Sequence, residues 1–316
     1  MKPTTILEVW TTCHVNCTFC YKEYDKNKEN YFKSIEQVRD EIKTLSKRSS
    51  HILLAWWEPA LYPNLIELLD ECKKYNLTVC LVTIWDKLKD EKFLDSILDV
   101  WVITSIQVSI HTLDESEWKE LYWVPWIVEK QIKWIELLVN KWNIKFWINI
   151  VMNKININSI WNTIIWLNKL WAEIFYISAI HIFSWITKSN ILTTVSYIKI
   201  KRQLDMIKEL LSNNEIKLAL KSFPLCVHKY LKNYIYEIRE LNVRDSVKTN
   251  NTWITDWEEK KKFKTKLKEC TSCYAYWKKC FWPYEYYVKI YWDKEFSNLS
   301  EDDYNKMVKY NCKNVW

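Results

Sequence analysis

Glycine is absent from this 316-residue chain. Roughly 7% glycine is usual, and a chain without it lacks the one residue that enters left-handed backbone freely. Glycine-rich cradles for nucleotide phosphates, GxGxxG and the P-loop, are excluded, and neither pattern emerges when tryptophan is allowed to stand for glycine. A long uncharged apolar run is also missing. The most apolar long stretch, residues 164–186, carries Lys169, Glu173 and His181, which argues for a buried helix–strand unit and against a membrane span. The first residues hold a lysine but no apolar core behind it, so no secretion signal is expected. Excess charge is small: 46 Lys and Arg against 39 Asp and Glu give +7, too mild to imply a nucleic-acid partner. These absences lead to the expectation of a cytoplasmic protein with no membrane partner.

Tryptophan is abundant instead, at 21, close to the roughly 22 glycines that ordinary usage would supply. Position supports the correspondence. Trp142 and Trp171 each follow an apolar-periodic helix and precede a strand, where a left-handed glycine belongs and a bulky residue is strained. Trp292-Asp293 lies between two strand-like runs, where a Gly-Asp turn is expected. The expectation is that most of these tryptophans are glycines in the natural protein, from a gene that uses UGA for glycine. UGG codons at these positions would overturn it, leaving a truly tryptophan-rich, glycine-free protein.

Periodicity predicts strands at 5–9, 52–55, 78–83, 105–111, 145–151 and 174–180. Helices are expected at 34–46, 65–75, 90–98, 127–140, 160–170 and 195–211. Ser34 followed by Gln37 is a capping-box pattern. Six strands alternating with helices give a parallel sheet with right-handed crossovers, whose functional residues gather at the C-terminal ends of the strands. Beyond about residue 211 the periodicity weakens. Residues 286–291 and 294–296 are expected to form a hairpin. A segment this size with few apolar core residues usually needs a metal. The domain division expected is 1–215 and 216–316.

The ten cysteines, without a secretion signal, favour metal ligation over disulfides. Cys13, Cys17 and Cys20 put three thiols in one short loop. Three protein ligands leave a fourth position open, which suits an iron–sulfur cluster that binds a cofactor at its unligated iron. A zinc site completed by a distant fourth ligand is the alternative. Cys226, Cys270, Cys273 and Cys280 form a second set, suited to a cluster or to a zinc ribbon. Cys72 and Cys80 fall on apolar faces and are expected to be packed, inert thiols. Cys312 is unassigned. The lysines at 260, 261, 262, 264, 266 and 268 form a basic run, expected to be a solvated surface segment.

With these residues in view, the chain resembles the radical SAM enzymes. Their CxxxCxxC signature, with an aromatic before the last thiol, stands here as Cys13, Cys17, Phe19 and Cys20. Their Gly-Gly-Glu-Pro turn after strand two stands as Trp56-Trp57-Glu58-Pro59, intact only if both tryptophans are glycines. Leu81-Val82-Thr83-Ile84-Trp85 is similar to the end of strand three, with Ile84 in place of the usual asparagine. Val108-Ser109-Ile110-His111 is similar to the strand-four segment. The likeness covers roughly residues 5–190. It implies an α/β fold, a partial (β/α)6 TIM-like barrel with a small C-terminal iron–sulfur domain of the twitch or SPASM type.

The resemblance also implies a [4Fe–4S] cluster on Cys13, Cys17 and Cys20 whose open iron chelates S-adenosylmethionine. Reductive cleavage of that cofactor then gives a 5′-deoxyadenosyl radical. Phe19 would pack beside the adenine, or simply in the core. Trp56, Trp57, Glu58 and Pro59 would receive the methionine amino group through backbone carbonyls. Thr83 and Ser109 would contact the cofactor, or be satisfied buried hydroxyls. His111 is taken as structural. Cys226, Cys270, Cys273 and Cys280 would hold a second [4Fe–4S] cluster, although six residues rather than five precede Cys280. A reductant such as flavodoxin or ferredoxin is implied, with a peptide or protein as first substrate class and a small molecule in cofactor biosynthesis as second. A non-catalytic zinc-binding module is the reading from another class.

Overall fold

A computed structural model describes residues 4–9, 13, 15, 17–20, 32–55, 58–84, 90–122, 127–141, 144–170, 172–180, 193–213, 215–221, 223–228, 264–274, 280, 283, 285–291, 300–302 and 305. Seven strands form one sheet in strict chain order. They are β1 (Thr4–Leu7), β2 (His51–Leu54), β3 (Thr78–Thr83), β4 (Ile103–Ser109), β5 (Lys145–Met152), β6 (Ile174–Ala179) and β7 (Lys217–Lys221). The strands are parallel and form a half-barrel with helices, an α/β fold. The helices between them are α1 (Ile35–Ser46), α2 (Leu65–Lys74), α3 (Glu91–Leu98), α4 (Glu115–Leu121), α5 (Ile127–Lys141), α6 (Ile160–Lys169), α7 (Tyr197–Met206) and α8 (Lys208–Ser212), with α9 (Glu285–Tyr291) near the end.

Two compact units can be distinguished. The first comprises Met1–Cys17, Asp25–Asn149 and Leu167–Ala172. Its core is aliphatic: Ile52, Leu54, Val79, Leu81, Ile106, Val108 and Ile148 are buried on the strands, each contributing about 1.5–3 kcal/mol of burial. α1 starts as its sequence predicts. Gln37 N–H donates to Ser34 Oγ at 3.3 Å and Ser34 N–H to Gln37 Oε1 at 2.9 Å. Val38, Ile42 and Leu45 then face the core. Asp90 and Asp114 cap α3 and α4 by accepting backbone N–H groups of the first turn, without a reciprocal bond.

The second unit comprises Thr18–Tyr24, Ile150–Trp166 and Glu173–Trp316. It holds β6, β7, α7 and α8, and two tyrosines of α9 reach the start of α7 and Thr194 ahead of its cap. The rings of Tyr197 and Tyr287 stack at 4.0 Å. Tyr287 hydroxyl accepts the Tyr197 N–H at 2.7 Å, and Tyr291 hydroxyl donates to the Thr194 carbonyl at 2.6 Å.

Three expectations are corrected. A seventh strand, β7, extends the sheet beside β6, with Ile174 opposite Lys217. Its Lys-Leu-Ala-Leu-Lys sequence lacks the β-branched residues that mark a strand, and pairing supplies what propensity does not. The long helix expected at 195–211 breaks at Ile207 into α7 and α8. The expected hairpin is replaced at 285–291 by α9, where Tyr287 and Tyr291 lie one turn apart and reach Tyr197 and Thr194 respectively. A short helix, α4, was also not foreseen.

Backbone with positive φ occurs at Asn76 (φ 52°) and Trp101 (φ 65°) among the described residues. Asn76 tolerates this conformation; tryptophan does not. Trp101 follows α3, donates its N–H to the Leu98 carbonyl at 2.9 Å and leaves its indole 78% exposed. This is the helix-terminating position where glycine is the ordinary residue. Trp142, Trp171 and Trp292 lie outside the described residues.

Candidate active site

Every strand of a parallel sheet runs in one direction, so the strand ends meet one edge. β1 leads into the thiol loop there. The loop's base is closed by the Lys33 N–H, which donates to the Val9 carbonyl at 3.0 Å. Within the loop Val15 is fully buried and Phe19 is 7% exposed, so apolar anchors fix the segment between the thiols. Cys13, Cys17 and Cys20 are half-buried and form no disulfide among the described residues. Three thiols at this sequence spacing, partly exposed, fit the donor set of an iron–sulfur cluster.

The next two strand ends are held together. Glu58 is completely buried. Its Oε1 accepts the Ala60 N–H at 3.1 Å and the Thr83 hydroxyl. Its Oε2 accepts the Ile84 N–H at 2.5 Å. Pro59 opens a 3-10 turn, Pro59–Leu61, that Glu58 caps. Thr83, 1% exposed, is the last residue of β3. Ser109, half-exposed, ends β4 and pairs with Asn149 of β5. Trp56 and Trp57 lie outside the described residues.

Sequence reasoning missed Tyr122, one residue past α4. Its ring stacks on His111 at 5.8 Å and 15°, and its hydroxyl accepts the His111 backbone N–H at 3.2 Å. Burial first, and then the negative charge of nearby Cys17, raise the Tyr122 hydroxyl well above its ordinary range. No motif marks this tyrosine; only the fold brings it toward the loop. Burial lowers His111 to about 3, so this histidine stays neutral in the fold, in keeping with a structural role.

The C-terminal thiols gather in the second unit. Cys273 and Cys280 are buried, Cys226 and Cys270 half-buried, and none of the four forms a disulfide among the described residues. Burial, then the charge of Cys226, push the Cys280 thiol up; the Leu225 N–H opposes this, and Cys273 and Cys270 add to the rise. Cys226, Cys273 and Cys270 therefore lie within electrostatic reach of Cys280, and Cys273 within reach of Cys270. Leu267 N–H donates to Cys270 Sγ at 3.4 Å. Among the described residues no group of three or more His, Cys, Asp or Glu is arranged around a single ion. A four-iron cluster makes a different demand, because each iron takes its own thiolate and the sulfurs stand apart.

Cys72 and Cys80 are buried on α2 and β3. Burial raises their thiols to about 12 and about 11, so both are packed and inert as expected. Cys312 and the lysines at 260–262 lie outside the described residues, while Lys266 and Lys268 are exposed. Among the described residues no helix is long and apolar enough to cross a membrane.

The half-barrel, its thiol loop and the buried turn after β2 define a radical SAM architecture. The sequence model of the Radical SAM superfamily matches residues 7–167; the chain belongs to this superfamily of enzymes. Among solved structures it is similar to SuiB of Streptococcus suis bound to S-adenosylmethionine, with 16% identity and TM-score 0.65 over 95% of this chain and 77% of that one. It is similar to native anSMEcpe with bound AdoMet, at 16% identity and TM-score 0.64 over 99% of this chain and 100% of that one. It also matches SuiB bound to its precursor peptide SuiA, at 18% identity and TM-score 0.55. That match covers 70% of this chain but 48% of the SuiB chain. No curated protein matches the sequence.

Proposed function

We propose that this protein reductively cleaves S-adenosylmethionine at a [4Fe–4S] cluster and directs the resulting radical to a peptide or protein. The observation that carries this reading is the three-thiol loop leading out of β1 at the same sheet edge as the Glu58 turn. Cys13, Cys17 and Cys20 would hold the cluster, which when bound supplies the electron that breaks the sulfonium bond. The turn at 56–59 would receive the methionine end through backbone carbonyls. Phe19 would border the adenine, and Ser109 would face the cofactor from β4. The peptide class is supported by the likeness to SuiB, solved with precursor peptide SuiA. Cys226, Cys270, Cys273 and Cys280, drawn together in the second unit, would hold an auxiliary cluster of the twitch or SPASM kind within residues 216–316. A flavodoxin or ferredoxin would deliver the electron.

Anaerobic reconstitution tests the reading. Iron and sulfide should each approach about eight per chain, and reduction with S-adenosylmethionine should yield 5′-deoxyadenosine. Zinc without sulfide, and no cofactor cleavage, would replace it with a zinc-binding module.

A further inference from the structure

The segment that carries the three thiols leaves the sheet at Val9 and returns at Lys33, directly before the cap of α1. Closing a long segment costs entropy. That cost falls on ligand binding unless something else holds the ends together first. Lys33 supplies that closure. Its N–H donates to the Val9 carbonyl at 3.0 Å. Its carbonyl accepts the Tyr62 hydroxyl at 3.0 Å. Its ammonium donates to both oxygens of Glu41 on α1, at 2.6 and 2.8 Å. The exit of the segment is thereby tied to its entry, to α1 and to the chain that follows β2.

Tyr62 is the rigid end of that tie, because its backbone is fixed on both sides. Its N–H donates to the Pro59 carbonyl at 3.0 Å, and its carbonyl accepts the Leu65 N–H at 3.2 Å where α2 begins. Tyr62 is 2% exposed, so a packed ring carries the hydroxyl to Lys33 across 29 positions of sequence. A phenylalanine would fill the same space but could not make that bond.

We propose that Lys33 and Tyr62 form a latch that closes the thiol segment, and that Tyr62 is a positioning residue for the cluster on Cys13, Cys17 and Cys20. The inference rests on the functional reading above and adds to its thiols the side chain that holds their segment shut. Tyr62 acts through Lys33, not as a ligand. An opened latch frees one end of the segment and lets a thiolate leave its iron. One neutral hydrogen bond shifts a local opening of this kind about two- to tenfold.

The test uses the full chain, reconstituted anaerobically, both as it stands and with Cys270→Ala and Cys273→Ala so that iron on the first thiol set is read by itself. Tyr62→Phe and Glu41→Gln are compared by iron content, rate of iron release to a chelator, amide hydrogen exchange at Lys33 and urea unfolding. Tyr62→Phe should still take up the cluster but release its iron about two- to tenfold faster, with exchange at Lys33 faster by a similar factor. Glu41→Gln loosens a pair whose side chains are 25% and 42% exposed, so it should change both rates by about twofold or less. A larger effect from Glu41→Gln than from Tyr62→Phe overturns the role given to Tyr62. Lowered stability of Tyr62→Phe with unchanged iron release overturns the inference while leaving the functional reading intact. A chain that takes up no iron and sulfide on the first thiol set overturns the functional reading and the inference with it.

Discussion

The two thiol groups of this chain are built in opposite ways. Cys13, Cys17 and Cys20 share one short loop, pinned at its base by the Lys33–Val9 hydrogen bond and anchored by buried Val15 and Phe19. Cys226, Cys270, Cys273 and Cys280 come from distant points of the sequence, on short 3-10 turns and loops. The first group rests on a sheet whose aliphatic strands are buried. The second shares its unit with α9, whose tie is a tyrosine stack. A loop hung on a formed sheet can present thiols before any cluster binds. A set assembled from separate turns would gain more of its order from the proposed auxiliary cluster, because metal binding then contributes folding free energy.

The most decisive way to break this comparison is to remove each thiol group in turn. Cys13→Ala with Cys17→Ala should abolish 5′-deoxyadenosine formation and lose about four irons per chain, with little change in thermal unfolding. Cys270→Ala with Cys273→Ala should also lose about four irons, but should lower the unfolding temperature while cofactor cleavage persists. Metal analysis, product chromatography and calorimetry read the outcomes. Equal destabilisation by both pairs would erase the distinction.

A second test concerns the two tryptophans of the turn proposed to receive the cofactor. Trp56→Gly with Trp57→Gly should tighten S-adenosylmethionine binding by at least about tenfold, or about 1.4 kcal/mol, because indoles would obstruct the backbone approach that glycine permits. Equal affinity removes the physical support for recoding at these two positions.

Trp101 sharpens the same question at the opposite end of β4. Its left-handed backbone costs a non-glycine residue about 1–2 kcal/mol, and its exposed indole contributes little packing in return. Trp101→Gly should stabilise the protein by about 1 kcal/mol in urea titration, net of the flexibility that glycine adds to the unfolded chain. Cofactor affinity should not change.

A last test reads pH dependence as a slope. His111 is held at about 3, below its ordinary 6.5. Between those values the unfolded chain binds the proton and the folded chain does not. This contribution is intact above pH 6.5 and is lost as pH falls toward 3, by at most about 1.4 kcal/mol per pH unit. His111→Phe keeps a ring against Tyr122 and should flatten that slope in unfolding experiments across the same range.

Periodicity and spacing alone determined a great deal here. The parallel alternation, the capping box of α1, the span of β3 and the three-thiol loop were all legible, because each depends on residues close in sequence. The likeness of the Glu58 turn was legible for the same reason. Tertiary structure decided the rest. β7 becomes a strand through pairing with β6, and α9 a helix in which Tyr287 and Tyr291 share one face. Glu58 was legible as part of a turn, but its carboxylate's partners at Thr83 and Ile84 lie 25 and 26 positions away. Tyr122 approaches Cys17 across still more of the chain. Local patterns encode backbone choice, whereas a buried polar group takes whichever donors the folded chain brings to it, and those are fixed only when the strands lie side by side.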